Sequence, residues 1–136
     1  MSAENEALAR RFYDEIVNGR NLDLIDELVS PDFVEHEEFP GLPEGRDGVK
    51  AFFGMMLQAF PDLRFEVEEV IATEDTAAAR LRMRGTQQGP FMDIPPTGKQ
   101  IDVPFIDWVR IKDGQAVEHW GVTDSGAMMQ QLGIAG

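Results

Sequence analysis

IDVPFIDWVRIKDGQAVEHWGVT, residues 101–123, holds two long runs of β-branched and aromatic residues on either side of Lys112-Asp113-Gly114. An Asp-Gly pair between two such runs predicts a tight hairpin, with strands over Ile101–Ile111 and Ala116–Thr123. Upstream the same period recurs. Leu63, Phe65, Val67, Glu69 and Ile71 alternate with Arg64, Glu66, Glu68 and Val70, as in a half-buried strand. Glu74-Asp75 turns the chain, and Thr76–Thr86 alternates small or apolar residues with Arg80, Arg82 and Arg84. The Pro/Gly-rich run GPFMDIPPTGK, residues 89–99, connects it to the hairpin. Four strands therefore follow one another as antiparallel neighbours.

The N-terminal half has a different period. Leu8, Phe12 and Ile16, flanked by Ala9, Tyr13 and Val17, form one apolar stripe of a helix that Ser2 starts and Asn18-Gly19 stops. A short second helix is predicted from Leu22 to Val29, ended by Ser30-Pro31-Asp32. Residues 31–46 read as a loop with a few extended residues around Phe33–His36. Asp47 suits the N-cap of a third helix, GVKAFFGMMLQAF, which Pro61 closes. One or two helical turns over Ser125–Leu132 end the chain. Helices grouped ahead of an antiparallel meander define an α+β class. With no internal repeat and no linker, residues 1–136 are expected to form a single domain.

Composition narrows the function. The 136 residues carry 12 Lys+Arg against 25 Asp+Glu, a net charge of −13. Such a surface repels phosphate backbones and anionic headgroups, so nucleic acid and membrane are poor partners. Without cysteine there is no thiolate nucleophile and no Cys-held metal. The N-terminus lacks an apolar signal core, and no run approaches the ~20 apolar residues of a membrane span, so a cytoplasmic location is expected. Nucleotide-binding glycine loops and the G-x-S-x-G elbow are absent. The only histidines, His36 and His119, are far apart, and no metal or cofactor is expected.

Candidate chemistry rests on a few residues in apolar company. Asp107 sits between Ile106 and Trp108, where a carboxylate loses its water unless paired or protonated. It is either a general acid/base or the partner of an arginine. Asp124 follows the last strand and is either a catalytic acid or a helix N-cap. A two-residue turn at Asp113-Gly114 would put Asp107 opposite Trp120; a bulge at Gly114 would flip parity and bring in His119 instead. Arg80, Arg82 and Arg84 are expected to pair with Glu66, Glu68 and Glu118. Tyr13 is the only tyrosine, and Phe53, Met56 and Phe105 suit the wall of an apolar pocket.

Eight segments now stand in order: Phe12-Tyr13-Asp14, Pro31-Asp32-Phe33-Val34-Glu35-His36, Phe60-Pro61-Asp62-Leu63, Gly85-Thr86-Gln87-Gln88-Gly89, Pro95-Pro96-Thr97-Gly98-Lys99, Asp113-Gly114, Glu118-His119-Trp120 and Gln130-Gln131-Leu132-Gly133. Together they resemble the SnoaL-like polyketide cyclase (ester cyclase) family of the NTF2-like superfamily. The resemblance implies a cone in which N-terminal helices pack on a curved antiparallel sheet and enclose a deep pocket. It implies ring closure by intramolecular aldol condensation on a polyketide-like ester, without metal or cofactor, and assembly as a homodimer or higher homo-oligomer. Asp124 matches the family's acid/base aspartate and His36 a pocket histidine, while Tyr13, Phe53, Met56, Phe105, Asp107, His119 and Trp120 would contact the substrate. One departure is Gln87, where relatives often carry a titratable histidine. Two rival expectations are a non-catalytic binder of an apolar metabolite, and ketosteroid-isomerase-like proton transfer with Tyr13 and Asp107 as oxyanion donors.

Overall fold

The computed structural model describes residues 2–37, 39 and 41–134. Helix α1, Ala3–Arg11, starts where the Ser2 hydroxyl accepts the Asn5 backbone N–H at 3.1 Å. Glu4 and Glu6 lie in its first turn and Arg10 and Arg11 in its last, matching the helix dipole at both ends. The helix then widens into a seven-residue π-helix, Phe12–Asn18, which buries Tyr13, Ile16 and Val17. Such wide turns are uncommon and gather at functional sites.

The second helix is shorter than its sequence pattern predicts. A 3₁₀ turn, Leu22–Leu24, leads into α2, Ile25–Leu28, and Val29 already begins strand β1, Val29–Glu35. Most of β1 falls in the expected loop. It is an edge strand, which tolerates the missing N–H of Pro31, and its register is irregular between Val29 and Val34. Helix α3, Gly45–Ala59, begins two residues before the predicted cap; Gly45 adopts φ +71, and Asp47 sits in the first turn instead.

Strands β2 (Arg64–Ala72), β3 (Thr76–Thr86), β4 (Gln100–Lys112) and β5 (Gln115–Thr123) form the antiparallel meander, and α4, Ser125–Gln131, follows. The sheet order is β1-β5-β4-β3-β2, with β1 running parallel to β5. The sheet is therefore mixed, correcting the all-antiparallel expectation. More than half of the chain separates β1 from β5, so no tight turn forces them to oppose.

Two bulges set which side chains face inward. One, at Glu68, buries Val70 and exposes Ile71, reversing the alternation read from the sequence. The other lies in the hairpin. Asp113 and Gly114, at φ +52 and +76, make the two-residue turn that pairs Lys112 with Gln115. Val117 is then the extra residue, so Arg110 meets Glu118, Val109 meets His119 and Asp107 meets Gly121. Parity flips as it would with a bulge at Gly114, but the flip occurs three residues later.

The inner face packs Phe65 against Phe105 at 4.8 Å and Phe53 at 6.1 Å, under α1 and α3. On the outer face Arg80 pairs with Glu68 and Glu69, Arg82 with Asp102, and Arg84 with Glu66 and Asp102. Glu118, expected to meet this basic stripe, pairs with His36 instead. Gln87 is fully buried and clamps the Pro/Gly connection. Its amide nitrogen donates to the carbonyls of Gly89, Ile94 and Pro95, and its oxygen accepts from Thr97.

Candidate functional site

Between the helices and the inner sheet face lies a cavity of about 840 Å³. Its walls are mostly apolar, with Phe12, Phe53, Met56, Phe65, Phe105 and Met128 among them. One end is polar. His119 Nε2 lies 2.8 Å from Asp107 Oδ1, and His119 Nδ1 bonds to Glu35 Oε2. The Tyr13 hydroxyl donates to Asp107 Oδ2 at 2.8 Å. Glu37 also lines the cavity, and its Oε2 accepts a long bond of 3.5 Å from the Thr123 hydroxyl.

Local folding explains this meeting. Parallel pairing puts Glu35 beside His119, and the His36 N–H continues the ladder to the His119 carbonyl at 2.9 Å. Alternation then turns Glu35 and Glu37 inward and His36 outward. The π-helix aims the Tyr13 ring at β4, and Gly121 leaves the wall beside His119 and Glu37 bare.

The electrostatics follow from burial and pairing. Burial favours a neutral His119, but its bonds to Asp107 and Glu35 outweigh that and push its pKa up to about 10. The imidazole is therefore a cation at neutral pH. Tyr13 is held well above the usual phenol range by burial and by the Asp107 charge and bond, so it stays a neutral donor. Burial raises Glu37; the charges of Asp107 and Glu35 add to this, and that of His119 opposes it. Among the described residues, no group of three or more His, Asp or Glu side chains is spaced to hold a metal ion.

The structure brings Tyr13, Phe53, Met56, Phe105, Asp107 and His119 together around the cavity, but not Asp124, His36 or Trp120. Asp124 is exposed and caps α4, its Oδ1 accepting the Ala127 N–H at 3.0 Å. Trp120 is turned to the outer face by the Val117 bulge, and His36 stacks on it at 4.5 Å while bonding Glu118 at 2.7 Å. Asp107 has a phenol and an imidazole as partners, so the alternative of an arginine partner does not hold. Glu35 and Glu37 were not among the expected site residues. Their spacing on either side of His36 is the signal that an extended strand would have revealed; neighbouring Glu38 lies outside the described residues.

The model of the SnoaL-like polyketide cyclase family matches residues 7–132. No curated protein sequence matches the chain. Among solved structures, TsrD from Streptomyces laurentii is 26% identical with a TM-score of 0.90, covering 99% of this chain and 98% of that one. IdmH from Streptomyces antibioticus is 31% identical with a TM-score of 0.80, over 97% and 99%. A SnoaL-like polyketide cyclase from Agrobacterium tumefaciens strain C58 is 25% identical with a TM-score of 0.80, also over 97% and 99%. The fold is the NTF2-like α+β cone, with an open five-stranded sheet around the cavity. The chain belongs to the SnoaL-like polyketide cyclase family.

Proposed function

We propose that the protein catalyses cofactor-free proton transfer on a small apolar carbonyl compound, leading to polyketide-cyclase-like aldol ring closure. The observation that carries this reading is the Asp107 carboxylate, fixed by the Tyr13 hydroxyl and the His119 cation at the wall of an apolar cavity. Two donors hold the Asp107 carboxylate in a fixed orientation, as a positioned base requires. Asp107 takes a proton from the carbon next to a carbonyl, and the C–H electron pair moves into an enolate. The positive charge of His119 offsets the developing negative charge in a mostly apolar cavity. The enolate carbon then bonds to a second carbonyl carbon of the same molecule, whose oxygen takes up a proton.

Asp107 replaces Asp124 as the base because Asp124 caps a helix outside the cavity. Ketosteroid-isomerase-like donation would need a neutral Asp107 with its proton facing the ligand, whereas both its oxygens accept bonds. The test needs no natural substrate. In D₂O the protein should catalyse exchange of the methyl protons of 2-acetylnaphthalene, read by NMR, and Asp107→Asn should slow it by ~10²–10⁴-fold. Exchange unchanged in that variant would refute the assignment.

Assembly as a cytoplasmic homodimer is part of this reading. Ile106, Trp108 and Val122 stand exposed together on the outer sheet face, an apolar patch that suits a second copy. Trp108→Glu should convert a dimer to a monomer in native mass spectrometry.

A further inference from the structure

We infer that Glu37 is the acid partner of Asp107: its carboxyl group donates first a hydrogen bond and then a proton to the carbonyl oxygen on which charge develops. The inference rests on the proposed proton transfer at Asp107. Three observations carry it.

The first is position. Gly121 lies directly opposite Asp107 in the β4–β5 register. A Cβ at Gly121 would come within 3.0 Å of Glu37 Oε1 and 2.8 Å of His119 Cε1. The Glu37 carboxyl group thus occupies the space that a side chain at 121 would fill, on the cavity wall next to Asp107.

The second is a shortage of other donors. Both His119 nitrogens are taken by carboxylates, and the Tyr13 proton is given to Asp107. The Thr123 hydroxyl points to Glu37 itself, and the Ser125 hydroxyl to the Thr123 carbonyl. Among the described side chains at this polar end, Glu37 is left to meet a carbonyl ligand, which can only accept.

The third is the contrast between the two acids. Asp107 receives two bonds of 2.8 Å, one from a cation, while Glu37 receives a single bond of 3.5 Å. Glu37 faces Asp107 on β4, His119 on β5 and Glu35 on β1, two negative charges against one positive. A carboxylate held by two short bonds suits a base, and a carboxyl group with one long bond, raised by burial, suits an acid. The balance is simple. Asp107 gains the carbon-bound proton as the enolate forms, and Glu37 loses its proton to the alkoxide created by carbon–carbon bond formation. Both recover their starting states by exchange with solvent once product leaves.

The test is the affinity of 2-acetylnaphthalene, which does not titrate, between about pH 5 and pH 9. Wild-type affinity should fall about three- to tenfold as Glu37 ionises, the worth of one hydrogen bond. The infrared stretch of the bound carbonyl should move back toward its free value over the same range. Glu37→Gln, which keeps a donor but cannot ionise, should bind equally well throughout. Thr123→Val, which removes the one bond that favours the charged form, should move the wild-type drop to higher pH. Parallel pH profiles for wild type and Glu37→Gln would overturn the role of Glu37 while leaving the Asp107 exchange test intact. Failure of the wild type to bind the ketone at any pH would overturn both.

Discussion

Each face of the β4–β5 hairpin holds a histidine against a carboxylate, yet the two pairs are physically different. Inside, the His119 side chain is 16% exposed and bonded through both nitrogens, to Glu35 and Asp107. Outside, the His36 side chain is 38% exposed, bonded through one nitrogen to Glu118 and stacked on Trp120. Burial makes the difference. An imidazolium cut off from water depends on its partners for solvation, and they in turn depend on it. A pair at the surface is screened and contributes little. Residue type alone does not locate the site; the pleat does.

The comparison can be broken at either pair. Removing the inner cation has the largest effect on stability: His119→Leu leaves Glu35 and Asp107 without their charge partner. It should lower unfolding free energy by about 3–5 kcal/mol in urea titrations. His36→Leu, in the same measurement, should cost less than about 1 kcal/mol.

A pH titration sharpens the contrast. The His119 pKa is about 10 in the folded protein and 6.5 in the unfolded chain, so the folded state holds the proton more tightly. Its contribution is complete below pH 6.5 and is lost as pH rises through about 10. Thermal melts should show stability declining across that window in the wild type, with a shallower decline in His119→Gln. Gln87→Ala comes next. Losing the clamp under residues 89–99 should cost about 1–3 kcal/mol, because several part-buried backbone groups lose a partner. Asp124→Ala should cost about 1 kcal/mol for a lost cap.

Much of this arrangement was legible in the sequence, for identifiable reasons. The apolar stripe of Leu8, Phe12 and Ile16, the Asp113-Gly114 turn and the long strands are local signals, and they survive in the fold. Asp107, His119 and Tyr13 could be singled out because a polar group in apolar company needs a partner. Their mutual bonding could not be read, since it depends on Val117, one extra residue in a strand that leaves no trace in composition. Strand β1 was hidden for a similar reason. Val29-Ser30-Pro31 reads locally as a helix stop, and only a strand more than 80 residues later gives it a ladder. The place of Glu35 and Glu37 in the site stayed hidden with it. The parallel with relatives pointed to Asp124 and His36, whereas in this chain Asp124 caps α4 and His36 stacks on Trp120, both outside the cavity lining.

The most direct test compares two aspartates in one assay, the exchange of the 2-acetylnaphthalene methyl protons in D₂O. Asp107→Asn should lose ~10²–10⁴-fold in rate, while Asp124→Asn, with an amide that still caps α4, should exchange within about twofold of wild type. A rate that collapses in Asp124→Asn and survives in Asp107→Asn would contradict the account.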